Sequence, residues 1–239
     1  MGSTRVAVDY LVKYLAFDQI VKYAGGMASH PALSPPMLSP RAARTRSALI
    51  AAGFELLAEK PIDAIPIDEV VARASVAKGS FFNHFADKPA FAAAIGDEVR
   101  LELEAHITAA NAGVTDPLAR IAGGMRTGAM FALAEPKRTI VLLRSHASST
   151  LSSHPLNRGL VEDMAAAIAA GLVREEARTG GVLYWLGLCQ ALMANLVEQR
   201  PAPDAARDAL GAMMVLGLTG LGTAEGRARA IADEACLAL

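Results

Sequence analysis

The sequence has few aromatic residues and almost no net charge, and both shortages limit what the protein can be. Aromatic residues make up 5% of the 239 residues and hydrophobic residues 53%, so the core must consist mainly of Ala, Leu, Val, Ile and Met. This mixture favours helices, because Ala and the straight-chain residues lose little conformational freedom in them. The net charge of −1 excludes a basic field over the whole protein, so any contact with nucleic acid requires a local patch.

Cysteine is also scarce. Cys189 and Cys236 are far apart in the sequence and have no His at metal-binding spacing. They therefore predict neither the disulfide framework of a secreted protein nor a zinc site. We expect both to be buried thiols in a reducing cytosol, and no motif predicts a cofactor or a metal ion.

The N-terminal region lacks a run of about twenty apolar residues, which a membrane span would need. Charged residues interrupt residues 1–24, and no signal-peptide cleavage pattern follows them. The sequence thus predicts a cytoplasmic protein with no membrane partner. Residues 1–40 are predicted to be an extension and a linker, since residues 25–40 are rich in Gly, Ser and Pro. The extension is either an accessory amphipathic helix or a segment upstream of a native start at Met27 or Met37.

From residue 41 onward almost every segment has helical periodicity, which predicts an all-α fold. Pro61 ends the first helix, and a second begins near Pro66. A third helix is predicted over residues 78–85, and Asp87 is placed to cap a fourth. These elements form a three-helix unit followed by the start of a longer helix.

The remaining sequence follows the same helical pattern. Asp116 followed by Pro117 is a strong helix start. We predict helices over residues 156–173 and 182–198 with a break at Gly180–Gly181, then a helix over residues 204–221 and a short tail helix. No strand pattern or internal repeat is present.

Residues 44–91 indicate a helix-turn-helix arrangement, in which a short second helix presents a polar outer face to the major groove. Phe81 and Phe85 would supply its inner face. Lys78 and Ser80 would lie in its first turn, where backbone N–H groups favour phosphate. Gly79 would let the backbone approach DNA closely. The candidate DNA-binding residues are Arg44, Thr45, Lys78, Gly79, Ser80, Phe82, Asn83, His84 and Lys88.

Three segments, residues 44–52, 67–76 and 77–88, resemble the tetracycline-repressor (TetR) family of transcriptional regulators. The resemblance implies a helix-turn-helix DNA-binding domain over residues 41–91 and a helical effector-binding and dimerisation domain over residues 92–239. It also implies a homodimer formed through the two long C-terminal helices. Such a dimer would bind a palindromic double-stranded operator, most commonly as a repressor, and a small-molecule effector would release it.

The sequence departs from the family pattern at four positions. Ser75 stands in the turn where the family has Gly, which predicts mild backbone strain. Ala77 replaces a Ser cap, and Pro66 stands where Thr usually caps the second helix. Phe82 replaces a Tyr whose hydroxyl reaches phosphate in the family. We expect these changes to lower DNA affinity without altering the fold.

The effector site is predicted less sharply than the DNA-binding surface. Apolar residues at helical spacing, with a few polar anchors, are typical of ligand cavities but also of ordinary helical cores. The candidate lining residues are Met125, Met130, Arg144, His146, Met164, Tyr184 and Trp185. The predicted dimer helices likewise resemble an intramolecular core pair.

A rival interpretation is a helical ligand-binding or scaffold protein whose DNA head has lost its function. Residues 41–91 support this rival in part, since they hold seven Lys or Arg against six Asp or Glu, a net charge of +1. A second rival is a helical enzyme. We do not predict an enzyme, because the neighbouring Ser145 and His146 come with no orienting acid.

Overall fold

The computed structural model describes residues 39–145 and 152–237, and its regular elements within these ranges are all helices. The predicted all-α fold is confirmed. Residues 1–38 of the predicted extension and His146 lie outside the described residues, and Pro40 begins the first helix. The α-helices of these ranges are α1 (Pro40–Glu59), α2 (Ile67–Arg73), α3 (Lys78–Phe82), α4 (Lys88–Ala110), α5 (Pro117–Ala134), α6 (Pro136–Ser145), α7 (Arg158–Ala169), α8 (Ala177–Gln199), α9 (Pro203–Gly220) and α10 (Glu225–Cys236). Two short 3-10 turns, Ile62–Ala64 and Pro155–Asn157, lie between them.

Helices α1 to α3 and the start of α4 share one part of the core. Leu49 and Leu56 of α1 and Phe81 of α3 are completely buried. Helix α1 crosses α4 at Gly53, where an added Cβ atom would lie 2.2 Å from the Phe91 ring. Only glycine allows this crossing, because any side chain would push the two helices apart.

Helix α4 runs on into the body of the protein. Phe91 near its start packs on Phe81, with ring centroids 5.1 Å apart, while Val99 and Leu103 further along are buried as well. The predicted border between residues 91 and 92 therefore falls inside a continuous helix. The division into two domains at that position stays a prediction.

The predicted helix starts are confirmed by their caps. The Asp87 side chain accepts a hydrogen bond of 2.7 Å from the Ala90 N–H, and that of Asp116 accepts one of 2.9 Å from the Leu118 N–H. In both helices Pro occupies the first turn, where its missing N–H costs no bond.

The predicted end of the third helix is wrong, because α3 ends at Phe82 and not at residue 85. The N–H groups of His84 and Phe85 both donate to the Phe81 carbonyl, at 3.0 and 2.9 Å. The chain thus tightens into a turn that leads directly to the cap at Asp87.

The predicted break at Gly180–Gly181 is also wrong, since both glycines lie inside α8. The chain instead turns at Gly171, which adopts a left-handed backbone with φ of 66°. A Cβ atom on Gly181 would lie 3.1 Å from the Met164 sulfur, so this glycine lets α7 approach α8. Gly181 therefore allows the two helices to pack closely and does not reverse the chain.

Helix α8 has 23 residues and is long and apolar enough to cross a membrane by length and composition alone. Its side chains are divided between two environments. Leu186, Met193 and Val197 are buried, whereas Leu183 on the same helix is 60% exposed. A core helix of a helical bundle meets the same length and composition test, so the test carries little weight.

Candidate nucleic-acid interface

The turn between α2 and α3 closes with a Schellman pair of backbone hydrogen bonds. The Ser75 N–H donates to the Ala72 carbonyl at 3.1 Å, and the Val76 N–H donates to the Val71 carbonyl at 3.0 Å. This motif places Ser75 in the left-handed region, with φ of 55°. Glycine is preferred there because it has no Cβ atom. The turn thus holds Ser75 in the conformation on which the predicted strain depends.

Helix α3, the second helix of the helix-turn-helix arrangement, has no side-chain cap. Ala77 holds the extended backbone of a cap residue, with φ of −69° and ψ of 148°, but offers no acceptor. Pro66 stands in the same position before α2, again without a side-chain bond. Both losses predicted from the sequence are confirmed.

An aromatic cluster holds α3 in place from below. The Phe81 ring lies 5.6 Å from that of Phe85, which in turn lies 4.8 Å from that of Phe91, measured between centroids. All three side chains are buried. The rings fix the orientation of α3, so its opposite face must point away from the core.

That opposite face consists of the residues predicted to meet DNA. Lys78, Gly79, Phe82 and Asn83 are exposed. The two other candidates on this segment, Ser80 and His84, are half-buried. The surface of α3 is thus open to a partner, and the body of the protein does not cover it.

Acidic residues compensate much of the positive charge around this face. The Lys78 Nζ atom lies 2.8 Å from a carboxylate oxygen of Asp68, and both side chains are largely exposed. An Arg46 nitrogen lies 3.7 Å from a Glu98 oxygen. Exposed pairs of this kind contribute about 0–1 kcal/mol each, so a phosphate group can replace the carboxylate.

The two candidates on α1 lie near its first turns. Arg44 is exposed, and Thr45 is half-buried. The Thr45 hydroxyl donates to the Arg41 carbonyl at 3.1 Å, one helical turn earlier. A hydroxyl has a single donor, and because that of Thr45 is used within its own helix, none is left for phosphate.

Lys88 has a structural contact that the sequence did not predict. Its Nζ atom donates to the Asp63 carbonyl at 3.1 Å and to the Ile65 carbonyl at 3.0 Å. These bonds join the start of α4 to the 3-10 turn before α2. Two of the three ammonium donors are thus used inside the protein, and the predicted phosphate contact depends on the third.

Arg144 has a similar unpredicted contact. Its Nη1 atom donates to the carbonyls of Leu57 and Ala58, at 2.7 and 3.0 Å, in the last turn of α1. Carbonyls at a helix C-terminus carry partial negative charge and favour a cation. The guanidinium group therefore ties the end of α6 to the end of α1.

The other candidates for an effector site are divided between core and surface. Met125, Met164 and Trp185 are at most 2% exposed, whereas Met130 and Tyr184 are 43% and 39% exposed. The Tyr184 hydroxyl donates to the Leu216 carbonyl at 3.3 Å. Their assignment to one ligand site stays a prediction.

A buried polar cluster in the body was not predicted. Arg100 donates from Nε to Glu104 at 2.8 Å and from Nη2 to the Asn157 amide oxygen at 2.9 Å. Burial raises the pKa of Glu104, and the Arg100 charge opposes this rise. Burial also raises the pKa of the neighbouring Cys189 to about 12. Among the described residues no group of three or more His, Cys, Asp or Glu is placed to hold a metal ion.

Comparisons with known proteins agree with this geometry. The family model described as bacterial regulatory proteins, tetR family, matches residues 49–95. The transcriptional regulator AcuR of Cereibacter sphaeroides is 37% identical to this chain over 65 residues. The matched segment covers 27% of this chain and only 30% of that relative.

Solved structures are similar over most of the chain. A tetR family transcription regulator from Shewanella sp. PV-4 has a TM-score of 0.60 and 16% identity, over 74% of this chain and 97% of that one. RolR in complex with resorcinol has a TM-score of 0.53 and 21% identity, over 80% of this chain and 94% of that one. These structures share the fold, an N-terminal helix-turn-helix domain followed by a helical C-terminal domain.

Proposed function

We propose that this chain, whose residues 49–95 match the tetR family model, is a cytoplasmic repressor of that family that binds a palindromic operator as a homodimer and leaves it when a small-molecule effector binds. In this proposal residues 41–91 form the DNA-binding head and residues 92–239 the effector-binding and dimerising body.

The observation that carries the proposal is the open face of α3. Phe81 beneath it is completely buried, while Lys78, Gly79 and Asn83 on the outside are exposed. A short helix held from below and free above is what a recognition helix needs to enter the major groove. The proposed contacts are base edges for Asn83 and phosphates for Lys78 and Arg44.

A second copy of the chain is the proposed partner of α8 and α9. Leu183 on α8 and Leu216 on α9 are 60% and 63% exposed. The two helices are closely packed, since a Cβ atom on Gly217 would lie 2.8 Å from the Trp185 ring. Large exposed apolar side chains on two helices packed together are typical of an interface. Two-fold symmetry there would match a palindromic site.

Sedimentation velocity tests the dimer. Leu216→Glu is expected to give a monomer, because it places a charge in an apolar interface on both protomers. Leu133→Glu is the matched control, since Leu133 is also an exposed leucine, 39% exposed, but lies on α5. If both variants sediment like the unchanged protein, α8 and α9 do not form the interface.

A small-molecule effector in the body is supported by the RolR structure, which was solved with resorcinol. An effector releases DNA only when it binds one of two conformations more tightly than the other. The buried candidates Met125, Met164 and Trp185 are proposed to line part of its site, with Arg144 nearer the head.

DNA binding is tested by enriching sites from a random duplex library and titrating the selected site with salt. A regulator that neutralises six or more phosphates loses roughly a thousand-fold in affinity between about 50 and 200 mM salt. Lys78→Ala is expected to lower the slope of log K against log salt by about 1 for each bound protomer.

The matched control is Arg229→Ala, which removes an exposed positive charge on α10, bonded to Glu225, and should leave the slope unchanged. If no sequence is enriched and affinity is weak at low salt, the rival interpretation of a helical ligand-binding protein with a non-functional head is favoured. The near-neutral charge of the head is the observation behind that rival.

A further inference from the structure

Phe82 is an exposed large apolar side chain on the recognition helix. Its surface is 55% exposed, whereas the adjacent Phe81 is completely buried. The residues next to it on the outer face, Lys78 and Asn83, are polar and exposed. Burying the free side of this ring would stabilise a complex in proportion to the apolar area removed from water.

The ring of Phe82 rests on the core of the head. It meets the Phe81 ring edge to face, with centroids 5.4 Å apart and planes at 78°. Phe81 is in turn fixed against Phe91 at 5.1 Å. A ring supported in this way loses little conformational freedom on binding, so contact with a partner costs little entropy.

Gly79 lies three residues before Phe82 and therefore on the same face of α3. A Cβ atom on Gly79 would meet nothing within 4 Å, and its backbone is not among those with positive φ. Neither packing nor backbone conformation requires glycine at this position. The missing side chain leaves open space on the face of α3 that also carries Phe82.

We propose that Phe82 reads thymine by contact with its C5-methyl group in the major groove, and that Gly79 leaves the space in which the base approaches. The inference rests on the proposed function. Thymine is the one DNA base that shows a methyl group in the major groove. A phenyl ring offers no hydrogen bond to phosphate, but it gains from burying a methyl group.

Replacement of thymidine by deoxyuridine in the enriched operator tests this inference, because their bases differ only in that methyl group. The full chain is titrated against duplexes with one thymine exchanged at a time. We expect affinity to fall about four-fold at one thymine of each half-site, which corresponds to about 0.8 kcal/mol for one buried carbon group. Phe82→Ala should bind the thymine and deoxyuridine duplexes equally at that position.

Asn83→Ala is the matched control, since Asn83 is an exposed neighbour on the same segment. It should bind more weakly overall but keep the four-fold difference between thymine and deoxyuridine. Circular dichroism verifies that each variant is folded. An operator whose every thymine can be exchanged without loss overturns the inference, as does an unchanged four-fold effect in Phe82→Ala. Failure to enrich any DNA is a different result and removes the proposed function itself.

Discussion

Replacement of Ser75 by Gly is expected to stabilise the protein, because Ser75 holds the left-handed position of the turn between α2 and α3. Its φ is 55°, and the backbone bonds of Ser75 and Val76 fix this conformation. The left-handed region costs an L-residue about 1–2 kcal/mol. Glycine avoids that cost but loses about 0.5–1 kcal/mol more backbone entropy on folding. The net gain for Ser75→Gly is therefore about 0–1.5 kcal/mol, with a midpoint of about 0.75 kcal/mol.

For a chain of this length such a gain raises the melting temperature by about 1–4 °C. Thermal unfolding followed by circular dichroism measures it, with all variants at one protein concentration so that association contributes equally. Hydrogen exchange of the α2 and α3 amides reports the same change locally. Ser75→Ala is the control: it keeps the Cβ atom and should gain nothing. If Ser75→Gly is no more stable than Ser75→Ala, the turn stores no such strain.

Two further predictions concern contacts that bridge distant parts of the chain, and a third concerns the Cys189 thiol. Lys88→Ala should lower the free energy of unfolding by about 1–2 kcal/mol, since two backbone carbonyls lose a charged donor. It should also lower the affinity for operator DNA and for random DNA equally, because phosphate contacts carry no sequence information. A loss of DNA affinity with unchanged urea unfolding would contradict the structural role of Lys88. Arg144→Ala should cost about 1–2 kcal/mol in urea unfolding for the same reason, and Arg144→Lys should cost less. Cys189 is half-buried, and desolvation raises its pKa to about 12. In a Cys236→Ala variant at pH 7, it should therefore react with a disulfide reagent much more slowly than after unfolding in guanidinium, and equal rates would contradict this.

Features set by neighbouring residues were predictable from the sequence. The caps at Asp87 and Asp116 are predictable because each carboxylate lies two or three residues before the N–H group that donates to it. The buried face of α1 follows from helical spacing of its apolar residues. The missing cap at Ala77 could be predicted in the same way, because it depends on one side chain.

Features set by distant residues could not be predicted. Lys88 bonds to carbonyls more than twenty residues away, and Arg144 to carbonyls more than eighty residues away, and no local pattern distinguishes either from a surface cation. Gly181 follows another glycine, a pattern typical of a break between helices, but its neighbour in space is Met164 on another helix. Glycine is found both at chain breaks and at close contacts between helices. Only the packing of α7 against α8 shows which of the two roles Gly181 has.

The continuous helix α4 has a practical consequence for exchanging parts between regulators. An excised head that ended at residue 91 would leave Gly53 without the Ile95 side chain, which lies 2.5 Å from the position of a Cβ atom there. The buried residues Val99 and Leu103, further along the same helix, would be separated from Phe91. A chimera should therefore be joined beyond Leu103, within the exposed last turns of that helix, so that all buried residues of α4 are inherited together.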